Sequence, residues 1–126
     1  MSPTILIADD YDDNRELLRH LLSAAAYVVR EATNGRECLD MAREDPPDLI
    51  MVDLSMPQLD GWEVFKELRA DPRTARIPCV AVTAHTDTQR KRALEAGFSA
   101  YVSKPFQTEE LMSTVARFTR ATTRVE

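Results

Sequence analysis

The sequence predicts an α/β fold, doubly wound, in which a five-stranded parallel sheet is covered by five helices on its two faces. Three observations predict it. Short apolar runs rich in β-branched residues alternate with stretches of helical spacing along the chain. The runs are apolar at consecutive positions, as strands buried on both faces require. Turn residues, including all three glycines, fall between runs and helical stretches.

The first strand is Thr4-Ile5-Leu6-Ile7-Ala8, and the helix after it is marked by Leu17, Leu18, Leu21 and Leu22. Asp12 or Asp13 is expected to cap that helix. Residues 27–31 form the second strand; Asn34-Gly35 turns the chain into a helix carrying Cys38, Leu39 and Ala42 on one face. Residues 49–52 are the third strand, and Asp60-Gly61 opens a helix with Phe65 and Leu68 inward. Residues 80–82 are the fourth strand, followed by a helix marked only by Ala93 and Leu94 and closed by Gly97. Residues 100–102 are the fifth strand. Thr108, Glu109 and Glu110 give the last helix an acidic first turn, and Leu111, Met112, Val115 and Phe118 form its apolar stripe.

A chain of 126 residues fits one domain that buries its own core without staples. Its 44% hydrophobic and 29% charged content is that of a folded globular protein. A net charge of -5 argues against direct nucleic-acid binding, which draws on clustered Lys and Arg. Cys38 and Cys79 stand far apart with no histidine at ligand spacing, so both read as core residues. No basic segment precedes an apolar stretch near the N-terminus, and no apolar run suffices for membrane insertion, so a cytoplasmic protein is expected.

In open parallel sheets, ligands bind beyond the carboxyl ends of the strands. Walking to those ends gives Asp9 and Asp10 after the first strand, Asp53 after the third, Thr83 after the fourth and Lys104 after the fifth. Three carboxylates on one rim raise each other's pKa unless a cation offsets the charge. A hard divalent ion held by oxygens, magnesium with manganese as the alternative, is implied. Lys104 supplies a further positive charge for a phosphoryl oxygen, and the Thr83 hydroxyl and the next backbone N–H supply donors. The set suits phosphoryl transfer, with Asp53 as a nucleophile that becomes an acyl phosphate.

Asp9-Asp10, the segment Val52-Asp53-Leu54-Ser55-Met56-Pro57, Asp60-Gly61, Thr83-Ala84 and Lys104-Pro105-Phe106 together resemble the response-regulator receiver family, the CheY-like fold also called flavodoxin-like. The resemblance spans residues 4–120 as one receiver domain and leaves 121–126 as a short polar tail. It implies the strand order 2-1-3-4-5 and a two-component signalling module rather than an enzyme acting on a separate substrate. Asp53 is then the phosphoacceptor, loaded from a phosphohistidine on a sensor histidine kinase or histidine phosphotransfer protein. Asp10 binds the metal directly, Asp9 largely through water, and the Ser55 backbone carbonyl completes the protein ligands. Thr83, the Ala84 N–H and Lys104 hold the phosphoryl oxygens. Thr83 and Tyr101 form the switch, read by a downstream protein through the face of the fourth helix, fifth strand and fifth helix. A phosphorylation-dependent homodimer is also compatible.

Each of these residues has a plainer reading. Tyr101 alone is a strand aromatic, Lys104 alone a surface lysine, and Thr83 alone a cap for the next helix; their joint placement favours the site. Ser55 and His85 occupy positions expected to tune the lifetime of the acyl phosphate. His20 reads as packing or surface, Trp62 as packing, and Arg90, Lys91 and Arg92 as a solvated helix face. The leading expectation is a stand-alone receiver. A segment of a hybrid kinase or larger regulator is the alternative, and an aspartyl-nucleophile phosphatase ranks below both because Ser55 stands where such enzymes carry a second carboxylate.

Overall fold

The computed structural model describes residues 2–83 and 87–123. Along the chain run β1 (Thr4–Ala8), α1 (Asp12–Ala24), β2 (Val28–Ala32), α2 (Gly35–Glu44), β3 (Leu49–Asp53), α3 (Gly61–Ala70), β4 (Cys79–Thr83), α4 (Asp87–Ala96), β5 (Ala100–Ser103) and α5 (Thr108–Thr123). The strands form one sheet in the order β2-β1-β3-β4-β5, every pairing parallel. The predicted architecture is therefore the observed one.

Strand periodicity divides the core in two. Ile5, Ile7, Leu49, Met51, Val80 and Val82 face α1 and α5, where Leu18, Leu22, Leu111 and Val115 close over them. Leu6, Ala8, Ile50, Val52, Cys79 and Ala81 face the other way, against Cys38, Leu39, Val64 and Leu68 of α2 and α3. Each fully buried Leu or Ile in these layers contributes about 2 kcal/mol by removal from water. At the sheet edge, β2 carries charge instead: Glu31 pairs with Arg19 at 2.9 Å, and Arg30 donates to the Asp45 carbonyl at 2.7 Å. Charged edges discourage pairing with another chain.

The element boundaries differ from expectation in small, explicable ways. The second strand begins at Val28, not Tyr27, because Tyr27 still belongs to the end of α1. Its N–H donates to the Leu22 carbonyl and that of Ala26 to the Ser23 carbonyl, a Schellman closure with Ala26 at φ 72° in the left-handed region. α4 ends in the same way, with Gly97 at φ 113° in the place Ala26 takes in α1. Neither Asp12 nor Asp13 caps α1: the N-cap is Tyr11, which makes no side-chain cap bond, and the two aspartates lie in the first turn. Among the described residues, no helix is long and apolar enough to cross a membrane.

Candidate functional site

The parallel ladder runs past the strand ends and sets the rim. The Asp9 N–H donates to the Ala32 carbonyl at 3.2 Å, the Leu54 N–H to Val82 at 3.2 Å, and the Lys104 N–H to Thr83 at 3.1 Å. Each extra bond carries the backbone one residue beyond its strand in sheet geometry, so the side chains of Asp9, Asp53, Thr83 and Lys104 meet at one end. The Lys104–Pro105 peptide is cis. On the far side of Asp53, α3 arrives tightly: a Cβ on Gly61 would stand 2.6 Å from the Asp53 carbonyl oxygen. Only glycine allows that approach.

At the centre lies the Lys104 ammonium, which donates to Asp9 Oδ2 at 3.0 Å and to Asp53 Oδ2 at 3.0 Å. The second oxygens are also engaged. Asp9 Oδ1 accepts from the Tyr11 N–H and Asp53 Oδ1 from the Ser55 N–H, both at 2.9 Å. Asp9, Asp53 and Thr83 are buried, with 2%, 5% and 1% of their surface exposed. Asp10 is exposed. The hydroxyls of Thr83 and Ser55 lie 3.3 Å apart.

Burial is the main influence on Asp9 and pushes its carboxyl pKa up, against the lowering pull of the Tyr11 N–H and of Lys104. The Asp53 charge adds only a minor upward push. Desolvation, more than the mutual repulsion expected from sequence, is what strains this carboxylate. Burial also pulls the Lys104 pKa down, but hydrogen bonds and charge from Asp53 and Asp9 together outweigh it, and the net shift is upward. Lys104 is a fixed cation.

Asp9, Asp10 and Asp53 each present a carboxylate oxygen, all within 4.8 Å of one another. Oxygen donors alone, two buried and one open to water, fit a hard divalent cation that keeps part of its hydration shell, not a thiolate- or imidazole-seeking metal. Cys38 and Cys79 stand apart from this chemistry. Burial drives their thiols up to about 12 and about 11.

The structure thus brings together Asp9, Asp10, Asp53, Ser55, Thr83 and Lys104. Tyr101 sits below them, buried in the core layer of α2 and α3. Ala84 and His85 lie outside the described residues. Two features escaped the sequence reading. The Ser55 hydroxyl meets Thr83, a contact across 28 residues that no local spacing signals. Arg15 donates to the Asp9 carbonyl at 2.7 Å and pairs with Asp12 and Glu31, bracing the loop that carries the acidic pair. A basic residue one turn into the helix was its only trace. His20 is exposed.

Comparison with known proteins identifies the family. The family model described as response regulator receiver domain matches residues 5–116. The polar-differentiation response regulator DivK of Brucella anthropi is 36% identical over 119 residues, 94% of this chain and 97% of that protein. A putative response regulator from Chloroflexus aurantiacus superposes with a TM-score of 0.89 at 34% identity, covering 94% of this chain and 98% of that one. The receiver domain of the sensor histidine kinase PA1611 from Pseudomonas aeruginosa, which has a magnesium ion coordinated in its active-site cleft, superposes with a TM-score of 0.86 at 29% identity, covering 94% and 98%. With a family match across most of the chain and an acidic rim held around a half-buried lysine, this chain belongs to the response-regulator receiver family, the signalling domains of two-component phosphorelays.

Proposed function

We propose that Asp53 is the phosphoacceptor of this receiver and that Mg2+, held by Asp9, Asp10, Asp53 and the Ser55 carbonyl, accompanies the transfer. The observation that carries this reading is the Lys104 ammonium, 3.0 Å from both Asp9 and Asp53. It neutralises the acceptor's site, and its other partner, Asp9, belongs to the metal-ligating set. The donor is a phosphohistidine on a histidine kinase or histidine phosphotransfer protein. An Asp53 carboxylate oxygen attacks phosphorus, the P–N bond breaks, and the proton needed by the departing imidazole comes from solvent. A bound magnesium ion supplies charge neutralisation for the phosphoryl oxygens.

Lys104 exchanges its carboxylate contact for a phosphoryl oxygen, and the Thr83 hydroxyl and Ala84 N–H take the others. To do so Thr83 leaves the Ser55 hydroxyl, and the space it vacates admits the Tyr101 ring. That is a two-state packing element biased by one new charge. The altered face of α4, β5 and α5 is where a downstream protein reads the state, as a monomer or as a phosphorylation-dependent homodimer. Ser55 and His85 set how long the acyl phosphate lasts, the protein acts in the cytoplasm, and the only turnover is its own phosphorylation and dephosphorylation.

The test is incubation with phosphoramidate with and without magnesium, followed by intact mass. Uptake of one phosphoryl group that requires magnesium and is abolished in Asp53→Asn is expected. Labelling that persists in Asp53→Asn would overturn the assignment.

A further inference from the structure

A groove of about 400 Å³ lies between α3 and the end of α4, lined by Trp62, Phe65, Lys66, Arg69, Ala96 and Gly97. Its floor is a chain of rings. Phe65 stacks on Phe98 with centroids 4.1 Å apart, and Trp62 meets Phe98 edge-on at 5.8 Å. Its rim is cationic: Arg69 lies over Phe65 and Arg92 over Trp62, each with the guanidinium carbon 4.7 Å from the ring centroid, and Lys66 is exposed beside them.

The hollow carries positive charge on an acidic protein. The whole chain is acidic, at -5. Six other cations, Arg15, Arg19, Arg30, Arg43, Arg73 and Lys104, each pair with a carboxylate. Among the described residues Lys66, Arg69 and Arg92, like Arg36, Arg76 and Arg117, form no ion pair with a carboxylate; what sets the three apart is their place, since Lys66 and Arg69 line one apolar hollow and Arg92 lies over its Trp62, with Arg69 also donating to the Ile77 carbonyl at 2.9 Å. A larger hollow along α1 is not comparable, because Asp13 and Glu16 line it and its Arg19 is already paired with Glu31.

We propose that the α3–α4 groove is a docking site for an acidic peptide segment of a partner protein, in which an aromatic or aliphatic side chain flanked by Asp or Glu seats against Trp62 and Phe65. Gly97 forms one wall because it has no side chain to fill the hollow; a Cβ there would already touch the Phe65 ring at 3.3 Å. The apolar anchor gains from burial against the rings, and the flanking carboxylates find the three cations. The groove is built from α3 and α4 and does not depend on the phosphoryl reading, so its test is run without magnesium or phosphodonor.

Trp62 is the only tryptophan and reports directly on the groove. A panel of short synthetic peptides is titrated, each with a central Phe, Trp or Leu flanked by Glu and Asp. Control panels replace the acids with Lys or the anchor with Ser. Changes in Trp62 emission and in the Trp62 indole and Gly97 amide resonances are expected from the acidic anchored panel alone, weakening as salt screens the pairs. Lys66→Glu and Arg92→Glu, each checked for native circular dichroism, should weaken binding by at least about fivefold, above what one exposed pair contributes. Silence from the whole acidic panel, equal binding by the lysine or serine panels, or affinity unmoved by both reversals overturns the proposal. So does tighter occupation of the groove by a nucleotide such as ATP.

Discussion

The loops after β1 and β3 both lead into a helix and both carry aspartate, yet they use it in opposite ways. At α3, Asp60 and Glu63 form a reciprocal capping box, each side chain accepting from the other's backbone N–H at 2.9 and 3.0 Å. At α1 no side chain caps the helix: the N-cap is Tyr11, and Asp9 just before it has both oxygens committed to the Tyr11 N–H and to Lys104. The first arrangement stabilises a helix end; the second holds a carboxylate, at a cost in desolvation, where a cation is wanted. A carboxylate is therefore structural or chemical according to which neighbours the fold gives it.

The largest expected effect sharpens the junction of the two uses. Gly61 opens the capped helix and also touches the backbone of Asp53, so Gly61→Ala should cost about 3 kcal/mol through overpacking against an unyielding carbonyl, measured by urea unfolding. It should also slow phosphoryl uptake, because α3 and the acceptor strand must move apart. Asp60→Ala comes next, losing about 1 kcal/mol of stability with the cap while leaving phosphorylation intact. In magnesium-free buffer Asp9→Asn should do the reverse, raising the urea midpoint while weakening magnesium binding, because burial works against its charge. If both variants shift stability in the same direction, the contrast between the loops fails.

The smallest effect concerns Asp71, the residue past the end of α3. Hydrogen bonds from Arg73 hold its carboxyl at about 2, against an ordinary 3.8, with Arg43 adding a lesser pull. A depressed carboxyl pKa favours the fold above the ordinary value, and that contribution disappears as pH falls through about 2. Asp71→Asn should therefore flatten the acid limb of the stability curve between those values and leave neutral-pH phosphorylation untouched. An acid limb identical to the unsubstituted protein's would show that the Arg73 and Arg43 contacts contribute nothing in solution.

The central strands β1, β3 and β4 were readable because they are buried on both faces, so Ile5, Leu6 and Ile7 must all be apolar whatever helix covers them. Asp9, Asp10, Asp53, Thr83 and Lys104 were readable because a parallel sheet gathers its strand ends on one rim. Tyr27 misled because a helix closed by Ala26 instead of glycine gives no punctuation in sequence. Arg90, Lys91 and Arg92 are exposed, as a solvated run should be, and only the fold shows that Arg92 also lies over Trp62.

By itself, then, the sequence determined the layer architecture, the strand ends and the candidate chemistry, since these follow from periodicity and residue type, which are local. Only the tertiary structure decided which carboxylates Lys104 holds, 95 and 51 residues away, that the Ser55 hydroxyl meets Thr83, and that Lys66 and Arg69 line one aromatic groove with Arg92 over its Trp62. Those are contacts between distant segments, and their partners are set by how the helices pack against the sheet.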